Sequence, residues 1–157
     1  MLFQRVNRSD PEKIFVVMKN SYSTASLSNG QAVQHDYATD ANGVSVTKPV
    51  ARGTAHVGTV AAGIAAETIA HNSYGLVQVY GYHSAVRVRT KTGGAPAIAA
   101  GSPLYLQSAV FALESNRFVC TTCSANTKVS ITIPCAFALA AQASWTTKTI
   151  AAFIKAL

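Results

Sequence analysis

The chain has 157 residues, enough for one domain with a substantial core, and only 12% of them are charged, a low density for a soluble monomer. Its surface is therefore expected to be largely neutral Thr, Ser, Ala and Asn, as suits a subunit that lives inside an assembly. Thirteen Lys and Arg against six Asp and Glu give a net charge of +7, but the cations are scattered. The one local stripe, Arg87-Val88-Arg89-Thr90-Lys91, has neither interleaved aromatics nor a recognition helix, so nucleic-acid binding is not expected.

The start, "MLFQRVNRSDPEK", is charged within five residues and has no apolar run, so no secretory signal is expected. Residues 1–13 read as an N-terminal arm and 14–157 as a single β domain. "IFVVMKNSY" (Ile14 to Tyr22) is apolar, β-branched and aromatic, and reads as a strand closed by "STASLSNGQ". "AVQHDYA" alternates, "TDANG" turns, and "VSVTKPV" follows, with Pro49 ending that strand or placing it on an edge. Two Asn-Gly pairs, at Asn29-Gly30 and Asn42-Gly43, predict consecutive hairpins.

"VAAGIAAETIA" is Ala-rich enough for a short helix, yet its Val, Ile and Gly spacing favours strand and loop. "SYGLVQVYGYHSAVRV" (Ser73 to Val88) is the most regular strand. Its inward pair is Val77 and Val79 before Gly81 but Val86 and Val88 after it. Such an exchange of parity predicts a bulge or bend at Gly81, with His83 on its outer side as a surface or interface hydrogen-bonder and Arg87 and Arg89 pointing outward. On this reading Gly81→Val disrupts the fold and His83→Ala is nearly silent. A Gly-rich loop, a turn at Gly101-Ser102-Pro103, and further strands through "FVCTTCSANTKVSITIPCAFALAAQ" complete the chain, with "WTTKTIAAFIKAL" as a final strand or an edge. Turn signals every eight to twelve residues or so, without a sustained 3.6 period, define an all-β sandwich or small barrel.

Little points to chemistry. Cys120 and Cys123 form half a zinc-ribbon pattern, but a structural zinc needs four ligands and only Cys135 remains. Three cysteines also argue against a disulfide framework. His35, His56, His71 and His83 are isolated. His35 and Asp36 point to opposite faces of a strand, and Glu67 reaches His71 only on a helix. No nucleophile elbow, phosphate loop or dinucleotide fingerprint is present. No catalytic residue, cofactor or metal is therefore assigned, an enzyme is not expected, and no window is apolar enough to cross a membrane.

The stretch "SYGLVQVYGYHSAVRV", then "AIAAGSPLYL", then "AFALAAQ" and "TIAAFIKAL", resembles small capsid decoration (cement) proteins of tailed bacteriophages over roughly Ser73 to Leu157. The resemblance rests on Gly75, Val77, Val79, Gly81, Ile98 to Leu104, Ala136 to Ala141 and Ile150 to Leu157, and departs at Ser102, where an acid is common in the family. It implies a β-barrel or β-tulip-like fold, a homotrimer, no catalysis, and a place on the outer capsid surface after synthesis in the host cytoplasm. The implied partner is the major capsid protein, contacted through Arg5 and Arg8 of the arm or through Arg87 and Arg89. The alternatives are another virion β-protein, such as a head-fibre base or minor capsid component, or a carbohydrate-binding β-module. A single Trp (Trp145) and dispersed Tyr residues weigh against the last.

Overall fold

Strands form where β-branched and aromatic residues recur, and they stop at Asn, Asp, Gly and Ser turns. The computed structural model describes residues 12–23, 25–49, 61–90, 97–106, 110–115, 134–143 and 146–156. Among them the chain forms nine strands and no helix: β1 (Lys13–Asn20), β2 (Ala32–His35), β3 (Ser45–Thr47), β4 (Ala61–Ala65), β5 (Tyr74–Val88), β6 (Pro103–Leu106), β7 (Leu113–Glu114), β8 (Ala136–Ala138) and β9 (Lys148–Lys155). The protein is all-β, as its turn spacing predicts. Arg5, Arg8, the Cys120–Cys123 pair, His56, Lys91 and Trp145 lie outside the described residues.

The strands form one mixed sheet in the order β1-β3-β2-β4-β5-β7-β6-β8-β9, and two further pairings, β1–β5 and β5–β9, close it on itself twice. The result is two closed circuits that share β5. Its first half pairs with β1 and β4, and its second half with β9 and β7. Length makes this sharing possible, because β5 runs for 15 residues while β1 and β9 have eight each.

Two hydrophobic clusters follow. Met18, Leu27, Val33, Val46, Ala62, Ala65, Ile69 and Val77 fill the first circuit. The second cluster gathers Val86, Val88, Leu104, Leu113, Ala136, Ile150 and Ile154 from the second circuit, together with Ala32 and Ile64 from the first. Ala32 and Ile64 are cross-strand partners, so they share a face of the β2–β4 pair. That pair is therefore buried on both sides. Fully buried Asn20 fastens the first circuit. Its Nδ2 donates to the carbonyls of Ile69 (2.9 Å) and Ala25 (3.2 Å), and its Oδ1 accepts from Tyr22 N–H (2.9 Å).

Several expectations change. The Asn42-Gly43 turn joins β2 to β3 as a hairpin, but the Asn29-Gly30 turn does not pair β1 with β2. Instead β3 sits between them, parallel to β1. The turn at Gly30 is used elsewhere: its carbonyl accepts from Arg87 N–H (2.8 Å), and a Cβ there would collide with the carbonyl of Ala85. Pro49 follows the end of β3, which is paired on both sides and is no edge. β9 likewise lies between β5 and β8.

Strand β5 also departs from its expected geometry. Burial runs Val77, Val79, Gly81, His83 and then shifts to Val86, Val88. The exchange falls at Ser84-Ala85, where the register against β9 steps from His83↔Ala152 to Val86↔Ile150, and not at Gly81. One extra residue on β5 makes a bulge there, and Gly30 fills the gap it opens. Gly81 has a different task. Its φ is +98°, and a Cβ would run into the backbone of Glu12 and Lys13, where β1 passes close by. Gln78 Nε2 spans this point by donating to the carbonyls of Tyr80 (3.0 Å) and Tyr82 (3.1 Å).

Candidate functional site

The expected chemical groups are held apart or committed. Asp36 accepts from Ser21 Oγ and Thr39 Oγ1, while His35 stacks on Tyr37 at 5.5 Å, so the two do not form a dyad. Burial works against the charge of Asp36, but those hydrogen bonds outweigh it and hold its pKa below the usual carboxylate value. Glu67 Oε1 accepts from Leu76 N–H (2.7 Å). His71 Nδ1 meets the carbonyl of Tyr22 at 2.9 Å, so that nitrogen carries the proton. Cys135 is fully enclosed, and burial pushes its thiol up to about 12, which makes it a small apolar core residue. Among the described residues no group of three or more His, Cys, Asp and Glu comes together.

His83 is a correction to the sequence reading. It is buried at 7% exposure inside the Ser84-Ala85 bulge, not at the surface. Its Nδ1 accepts from Ala85 N–H (3.1 Å), which requires the neutral ring with the proton on Nε2. Burial, and secondarily the charge of Lys13, push its pKa below the ordinary 6.5.

Two surfaces stand out. The first is the outer face of the β1–β5 pair. Met18 turns into the core, so Phe15, Val17 and Lys19 turn out, opposite Gln78, Leu76 and Tyr74 on β5. Phe15 (41%), Val17 (61%), Leu76 (39%) and Tyr74 (63%) are exposed and adjacent across the two strands. Isolated exposed apolar residues are ordinary on proteins, whereas a contiguous set on one sheet face signals a contact surface.

The second surface is an open cleft of about 200 Å³ where the circuits meet, lined by Gln31, Lys48, Arg87, Phe111 and Thr147, with Val110 and Ala112 completing its wall. Lys48 Nζ lies 5.9 Å from the ring centre of Tyr22 and 5.8 Å from that of Phe111, and these rings meet edge-on at 5.1 Å. In the sequence Arg87 stands in one stripe with Arg89. The fold separates their surroundings: Arg87 lines the cleft together with Lys48, whereas Arg89 follows the end of β5, where its N–H donates to Leu113 O (2.9 Å). Nothing in the sequence singled out Lys48, because the pairing of β3 between β1 and β2 is what carries it there.

No family model and no curated protein matches this chain. Among solved structures, the head fiber gp8.5 N base in bacteriophage phi29 is similar at a TM-score of 0.48 and 8% identity, over 92% of this chain and 96% of that one.

Proposed function

We propose that the chain is a structural component of a phage virion that attaches by protein–protein contact to the outside of the capsid and stabilises it as a trimer, without catalysis. The observation that carries this reading is the uncovered apolar face of β1–β5. Phe15, Val17, Leu76 and Tyr74 would bury well against a neighbouring subunit, and nothing among the described residues covers them. The resemblance of Ser73 to Leu157 to decoration proteins supports the same role. So does the charge of +7, which would steer the chain to an acidic shell surface. Symmetric repetition of modest contacts makes such attachment effectively tight.

Co-sedimentation with shells of the phage that encodes the chain tests the proposal. The native protein should pellet with shells at a saturating ratio, while Val17→Asp and Leu76→Asp should stay in the supernatant with unchanged melting temperatures. A native protein that remains monomeric and unbound at micromolar concentration would overturn it.

A further inference from the structure

The cleft between the circuits has a composition that the apolar face does not explain. Among the residues that line it are two with cationic side chains, Lys48 and Arg87, and one with a hydroxyl, Thr147. Gln31 also lines the cleft, and with its Oε1 accepting from Ser28 N–H (2.7 Å) its Nε2 is the donor it has to offer. No described carboxylate lines it. Two cationic residues lining one cleft with no described carboxylate beside them make it attractive to an anion, which interacts favourably with both charges. Lys48 is held in place by the faces of Tyr22 and Phe111, which lowers the conformational entropy lost on binding.

We infer that this cleft seats a glutamate or aspartate side chain of the partner protein, clamped between Lys48 and Arg87, an inference that rests on the reading of the chain as a shell-bound subunit. An arginine fork matches a carboxylate in two parallel hydrogen bonds. The remaining wall, Val110, Phe111 and Ala112, is apolar. A carboxylate arrives on methylene groups that cover such a wall, whereas a free phosphate would leave it bare. The carboxylate is therefore the better fit of the two anions. Position strengthens the case, because the cleft draws residues from both circuits and a ligand there ties them together.

The probe is an acetylated and amidated tetraglutamate peptide, titrated into the isotopically labelled full chain at low salt and followed by amide chemical shifts. Saturating shifts at Arg87, Phe111 and Thr147 are expected. The dissociation constant should rise at least about tenfold in Lys48→Gln and in Arg87→Gln, less in Arg87→Lys, and not at all in Arg89→Gln. A tetraglutamine peptide that shifts the same resonances equally, inorganic phosphate that saturates them as tightly, or neutral variants that bind like the native chain would each overturn the assignment. The co-sedimentation assay separates the two proposals. Glutamate binding that depends on Lys48 and Arg87 without shell binding leaves the cleft standing and removes the virion reading. Shell binding without glutamate binding does the reverse.

Discussion

Two walls of the first circuit share a chemistry and differ in what lies behind them. The β2–β4 wall is apolar on both faces, with Val33 and Ala62 turned to one cluster and Ala32 and Ile64 to the other. The β1–β5 wall is also apolar on both faces, with Met18 and Val77 inside and Val17 and Leu76 outside. The second circuit covers the first wall; among the described residues nothing covers the second. An apolar strand face is thus a packing requirement in one place and an available contact surface in the other, and the sequence of the strand alone does not say which.

The hardest test of this comparison is to force apart the two strands of the β1–β5 wall. Gly81→Val puts a β-branched side chain at φ +98° and into the backbone of Glu12, which should cost at least about 3 kcal/mol and detach β1 from β5. Thermal or urea melts should show the variant largely unfolded; a stable variant would mean that the β1–β5 wall does not need this close approach.

A smaller effect separates the walls directly. Ile64→Ala, on the covered wall, should cost about 2–5 kcal/mol through lost burial and a residual cavity. Val17→Ala, on the uncovered wall, should change stability by no more than about 0.5 kcal/mol. Equal costs in urea titrations would show that the β1–β5 face is covered in solution.

The mildest perturbation is protonation of His83, where the second half of β5 leaves its first register. Its folded pKa is lowered, so the unfolded chain binds the proton more readily. The stability held in the neutral ring is therefore fully present above pH 6.5 and is lost as pH falls from 6.5 toward the folded value. His83→Ala should flatten that part of the pH–stability profile and cost about 1–3 kcal/mol, because Ala85 N–H loses its acceptor. A silent His83→Ala, as the sequence alone suggests, would place the histidine outside the bulge.

The all-β class, the strands at Ile14, Ala32 and Tyr74, and the turns at Gly30, Gly43 and Gly101 were legible in the sequence. Each depends on a few neighbouring residues: alternation sets a strand, and a residue that accepts positive φ sets a turn. The parity exchange in β5 is visible in the sequence too, where Gly81 is the local marker for it. The bulge lies at Ser84-Ala85, since β9 and the Gly30 turn decide where the extra residue is accommodated. Tertiary structure alone decided that β3 runs parallel between β1 and β2, that His83 is buried, and that Arg87 lines a cleft with Lys48 and without Arg89. Those outcomes follow from closing two circuits around one long strand, and closure is set by contacts between residues far apart in the chain, which no local pattern encodes.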